Sequence, residues 1–115
     1  MSSTAPVYRA ITRNARISPR KAALSAALIR GKRVEEAIQI LAFELRRGSA
    51  MLKKTLESAV ANAASVGGLD PMDLVVVDAR VDKGIVHKRW RPAAKGRTAP
   101  RQKRCSHFTI AVAAK

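Results

Sequence analysis

Acidic residues are what this chain has least of: eight, against 23 lysines and arginines in 115 residues, for a formal net charge of +15. There is none from Met1 to Val34 and none between His87 and His107. So large an excess on so small a chain opposes its own compaction unless an anionic partner relieves it. A single cysteine, Cys105, excludes an internal disulfide framework and suits a reducing compartment. Aromatics supply only 3% of residues, so the core must be built from Ala, Val, Leu and Ile. No apolar run approaches the roughly 18 residues of a membrane span, and no membrane partner is expected. A chain of roughly 100 to 150 residues fills one core, so residues 1–115 are expected to form a single domain. The acid-free opening shares its composition with organellar transit peptides. It carries helix punctuation continuous with the helical pattern downstream, however, and only Met1 to Ala5 reads as a loose tail.

A block of helices precedes a pair of strands. Residues 6–12, PVYRAIT, read as a short edge strand with Pro6 tolerable only at its start. Ser18 and Pro19 give an N-cap with proline at the first helical position, and Gly31 a left-handed stop, so a first helix covers 19–30. Its apolar side is read as Leu24, Ala27 and Leu28, with Ile17 near the entry. Val34, Ala37, Ile38, Leu41, Ala42 and Leu45 then fall at helical spacing. Glu35 and Glu36 sit in the first turn, Arg46 and Arg47 are read into the last, and Gly48 into the stop. Ser49 is read as the cap of a third helix with the stripe Leu52, Leu56, Ala59, Ala63 and Val66, ended by Gly67 and Gly68. After the turn LDP, Val75, Val77, Ala79 and Val81 alternate with polar residues as in a half-buried strand, and Phe108, Ile110 and Val112 repeat the pattern.

Between those strands lies HKRWRPAAKGRTAPRQKRCSH, with turn residues Pro92, Gly96 and Pro100. The simplest reading is one long antiparallel hairpin. A compact chain of this size has a radius of gyration of about 13 Å and a body roughly 35 Å across. A strand from Leu74 to about Arg91 spans about 55 to 60 Å at roughly 3.3 Å per residue. Its distal part must therefore project, without a core of its own. The body is expected at about 6–84 and 106–115 and the arm at about 85–105. Trp90 offers a flat surface that stacks on a base, or packs across the ribbon onto an arginine.

The first helix carries a second signal. Arg20 and Lys21 occupy its first turn, where the helix dipole disfavours cations. With Arg13 and Arg16 just upstream, its exposed amides sit among four cations, which suits a phosphate; the plain alternative is a solvated basic face. Arg30, Lys32 and Arg33 extend the patch at the other end. Other classes fare worse. An architectural DNA-binding protein with a basic β-ribbon arm shares the ribbon but is normally dimeric, and no second apolar face provides for that. Ser106 and His107 are adjacent and so point to opposite faces of a strand, which argues against a nucleophile–base pair. His87, Cys105 and His107, with His87 and Cys105 equidistant from Gly96, fall short of a zinc ligand set. No cofactor and no catalysis are expected.

The runs SPRKAALSAALIRGKRVEEAIQIL, LESAVANA and RPAAKGRTAPRQKRCSHFTIAV resemble the bacterial large-subunit ribosomal protein family numbered twenty-two, from about Arg13 to Val112. KGR, followed by KR, one residue and SH, is the most diagnostic part. The resemblance implies an α+β fold: three helices on a small three-stranded antiparallel sheet with a long protruding β-hairpin. It implies a cytoplasmic, ribosome-bound monomer whose partners are large-subunit ribosomal RNA, neighbouring ribosomal proteins and the nascent polypeptide at the tunnel constriction. The role it implies is that of a clamp on several RNA domains during assembly, with the tip around Ala93 to Ala99 lining the exit tunnel. RNA contact is thereby assigned to Arg13, Arg16, Arg20, Lys21, Arg30 and Lys32 on the body. Along the arm it falls to Lys88, Arg89, Arg91, Lys95, Gly96, Arg97, Arg101, Lys103, Arg104, Ser106 and His107, beside Trp90. The chain departs from the family at Ala93, where arginine is usual, at Pro100, expected to interrupt the returning strand, and at Cys105, where threonine is common.

Overall fold

The computed structural model describes residues 6–92 and 98–114; the expected loose tail at 1–5 and the hairpin tip fall outside them. In chain order the elements are β1 (Val7–Ala15), α1 (Pro19–Ile29), α2 (Val34–Phe43), α3 (Arg47–Gly67), a 3-10 turn (Pro71–Asp73), β2 (Leu74–Pro92) and β3 (Thr98–Ala114). The strands form one antiparallel sheet in the order β1-β3-β2. This is the expected α+β fold of three helices and a three-stranded sheet. The hydrophobic core gathers Leu52, Leu56 and Ala59 of α3, Ile29 of α1 and Leu41 of α2 over Phe108, Ile110 and Val112 of the central strand.

Local chemistry places the helices. The Ser18 hydroxyl accepts from the Lys21 amide at 3.4 Å, capping α1 ahead of Pro19, and Gly31 takes the left-handed conformation at φ 75°. The turn after α1 then clips the open edge of β2: Gly31 N donates to Val76 O at 3.0 Å and Val76 N to Lys32 O at 2.9 Å. A covered edge cannot recruit a foreign strand.

Four expectations about packing are overturned. Helix α1 buries Ala22, Ser25, Ala26 and Ile29, whereas Leu24 and Leu28 face solvent. Its small-residue side is needed because α3 approaches closely: a Cβ on Gly48 would lie 3.1 Å from Ile17 Cδ1 and 3.4 Å from Ala22 Cα. Helix α2 ends at Phe43, so Leu45 is 99% exposed, and Arg46 and Arg47 open α3 instead of closing α2. Gly48 and Ser49 are therefore buried inside α3, and Ser49 Oγ donates to Ser25 Oγ at 2.9 Å. At the far end of α3 Gly67 lies against Tyr8, leaving no room for a Cβ, and Val66 is exposed.

The fourth correction is in β2. Between Val76↔Val112 and Asp78↔Ala111 the register slips by one residue, so Val77 is the extra residue of a bulge. Leu74, Val76 and Ala79 are buried and Val77 is exposed, reversing the expected alternation for the first half of the strand.

Two further bulges lie near Ser106. β1 carries an extra residue between Thr12 and Ala15, where Asn14 adopts φ 55° and its amide donates to His107 Nδ1 at 3.0 Å. β2 carries one between Lys83 and Val86, where a Cβ on Gly84 would meet the Cys105 backbone at 3.2 Å. β1 leaves β3 after Ala15↔Ser106, whereas the β2–β3 ladder continues from Val86↔Arg104 to Pro92↔Thr98. Pro100 does not interrupt it; it pairs with Trp90. In a two-stranded ribbon each strand has an open edge, which is where proline is tolerated. The register also differs from one centred on Gly96, which would set His87 opposite Cys105: His87 faces Lys103. The molecule measures 62 × 27 × 26 Å with a radius of gyration of 17.1 Å, against about 13 Å for a compact chain of this length.

Candidate nucleic-acid interface

The cations singled out from the sequence fall into three places. Arg13 lies near the end of β1, and Arg16, Arg20 and Lys21 surround the start of α1; all four are exposed. Arg30 and Lys32 lie at the other end of α1, about 16 Å away along its 11 residues. The basic stretch of the sequence is thus two patches rather than one. Arg30 is partly committed inward, its Nε donating to Ala79 O at 2.8 Å.

The third place is the ribbon. Lys88, Arg89, Trp90 and Arg91 belong to β2, and Arg101, Lys103 and Arg104 to β3; Lys95, Gly96 and Arg97 lie outside the described residues. The register sets Arg89 opposite Arg101 and Lys88 opposite Gln102. Like charges directly opposite destabilise an isolated ribbon, and the sequence from His87 to His107 contains no acid.

Ser106 and His107 sit at the root of the arm and serve the fold. Ser106 is fully buried, and its hydroxyl donates to Ile17 O at 2.6 Å, tying the entry of α1 to β3. His107 holds the β1 bulge through Nδ1. Among the described residues no group of three or more His, Cys, Asp or Glu is placed to hold a metal ion, and no helix is long and apolar enough to cross a membrane.

The Ser106 tie and the Gly48 approach bring the starts of α1 and α3 beside β3. Between them lies a cleft of about 810 Å³ whose lining includes Arg16, Ile17, Lys21, Leu24, Arg46, Arg47, Arg104 and Cys105. Sequence reasoning misses Arg46 and Arg47 as site residues because it assigns them to the end of α2. One signal could have found them: Gly48 and Ser49 stand four and three positions before Leu52, so the buried stripe of α3 already runs back through them.

Together these features define a class: a small basic α+β protein whose charge is not balanced within its own chain, built to sit against a polyanion. Residues 10–113 match the family described as ribosomal protein L22p/L17e. The chain is also 45% identical over 106 residues to the large ribosomal subunit protein uL22 of Hydrogenobaculum sp. (strain Y04AAS1), covering 92% of this chain and 87% of that one. The chain belongs to this ribosomal protein family. It is a structural, rRNA-binding protein of the large subunit, and its place is the cytoplasmic ribosome.

Proposed function

We propose that the chain acts as a monomeric clamp on large-subunit rRNA: the body, about 6–84 and 106–115, docks by its helix patches, and the arm, about 85–105, threads between RNA segments. The observation that carries this reading is the ladder from Val86↔Arg104 to Pro92↔Thr98, which continues after β1 has left the sheet. A slender ribbon reaches where a globule cannot. Lys88, Arg89, Arg91, Lys95, Arg97, Arg101, Lys103 and Arg104 follow one another along the arm without an acid. Each cation that neutralises a phosphate releases counterions, and arginine can bridge two phosphate oxygens in one plane. On the body, Arg13, Arg16, Arg20 and Lys21 form the first contact patch and Arg30 with Lys32 the second.

The small residues around Gly96 suit a tip that passes a narrow opening, which supports a place for the tip in the wall of the exit tunnel, against the nascent polypeptide. Clamping RNA segments distant in sequence suits a part in early assembly beside neighbouring ribosomal proteins. Photocrosslinkers at Trp90 and Gly96 in intact ribosomes test this. Attachment to rRNA segments of different domains, and to a stalled nascent chain from position 96, is expected. Attachment from both positions to ribosomal proteins alone would overturn it.

A further inference from the structure

The cleft between the starts of α1 and α3 joins Arg16 and Lys21 of the first contact patch to Arg46 and Arg47, which have no assigned role. Arg16, Lys21, Arg46, Arg47 and Arg104 line it, and no acid is among its described lining residues. Arg46 approaches Glu44 at 3.9 Å with its side chain half exposed, a contact of little strength. Ile17 and Leu24 give the cleft an apolar side, and Leu24 is exposed although it stands on a helix with a well-packed face. Two helices of 11 and 21 residues begin here, and no side chain caps the second. Both bring first-turn amides toward the same space.

A family of like charges held around one concavity, with an apolar wall, calls for a ligand that is polyanionic and carries a flat or apolar body. We infer that this cleft takes an unpaired or bulged strand of rRNA, its phosphodiester backbone on Arg46, Arg47, Arg16 and Lys21, and a ribose or base against Leu24. The inference rests on the ribosomal reading and adds a contact to it. Single-stranded or bulged RNA is what offers phosphates and splayed bases together. The Ser106–Ile17 hydrogen bond fixes one wall and the Gly48 approach the other, so the cleft is formed before RNA arrives.

The test is filter binding of the full chain to large-subunit rRNA across a salt series, comparing wild type with Arg46→Gln/Arg47→Gln and Arg46→Lys/Arg47→Lys. Two lost phosphate contacts lower the log–log salt slope by about 1.4 and weaken binding about 20-fold at 0.1 M salt. The glutamine variant is expected to show both changes, and the lysine variant to keep the wild-type slope. Both positions are exposed, so melting curves without RNA are expected to match the wild type. As a second readout on the unaltered chain, bound rRNA is expected to shield Lys21 from amine acetylation. A wild-type slope in the glutamine variant, or an unshielded Lys21, overturns the cleft assignment while the wild type still binds. A wild type that ignores rRNA overturns the ribosomal reading beneath it.

Discussion

Deleting His87–Lys103 and joining Val86 to Arg104 through Asn-Gly separates the arm from the body in one step. Val86 and Arg104 are cross-strand partners, and a two-residue type I′ turn closes such a pair in the native twist. The core cluster lies within residues 10–79 and 108–112, so no apolar burial described there is lost. What leaves is a ribbon that is marginal by itself, with seven lysines and arginines and no acid, taking the formal charge from +15 to +8. The small ladder contribution and the relieved repulsion oppose each other. Stability is expected to stay within about 1 kcal/mol, or about 4 °C in Tm for a chain of this size. Affinity responds differently: losing up to seven phosphate contacts flattens the log–log salt slope by as much as about 5. Circular dichroism melts and filter binding read the two quantities separately. A deletion variant that melts 10 °C early, or binds rRNA with the wild-type salt slope, refutes the division of labour between body and arm.

Val76→Ala and Val77→Ala test the bulge in β2. The first empties a fully buried site and is expected to cost about 2–3 kcal/mol, lowering Tm by about 10 °C; the second, at a half-exposed position, about 0.5 kcal/mol. Equal losses in thermal denaturation would mean that the strand alternates without a bulge. Ser106→Ala leaves Ile17 O without its donor and is expected to cost about 1–3 kcal/mol in urea unfolding, with an unchanged m-value. Gly48→Ala gains about 1 kcal/mol of helix propensity against a contact that the end of Ile17 can yield, so its Tm is expected to stay within about 4 °C of wild type. Gly48→Leu drives a side chain between α1 and α3 and is expected to cost about 1–3 kcal/mol, read by the same melts.

How much of the fold is legible in the sequence depends on whether the cause is local. Ser18, Pro19 and Gly31 bound α1 within one residue because capping and a positive φ are decided by neighbours in the chain. The arm is legible because it projects where the chain has nothing to bury, and length arithmetic needs only the rise of a strand. The buried face of α1 is not. Leu24 and Leu28 are two of its three large apolar residues, and ranking by size points them inward with Ile29; the deciding fact is the closeness of α3 at Gly48, a tertiary contact. The same contact hides the end of α2. A glycine after two arginines reads as a helix stop, and the packing of Gly48 against Ile17 and Ala22 shows it to be interior.

The same distinction explains why the arm is visible in the sequence and the assembly of the cleft, with Arg46 and Arg47, is not. A projecting arm exposes its chemistry in sequence order, so a run of cations is itself the site. The cleft takes Arg16 and Lys21 from one segment, Arg46 and Arg47 from a second and Arg104 from a third, which no spacing rule links. What links them is Ser106. Its hydroxyl holds Ile17 at the point where β1 leaves the sheet and the bulge in β2 begins, so one buried residue fixes both the root of the arm and one wall of the cleft. RNA contact by arm and body is therefore expected to be coupled through it: Ser106→Ala should weaken rRNA binding even at temperatures where the body remains folded. A variant that melts earlier yet binds folded-state RNA as tightly as wild type would show that the two contact regions are independent.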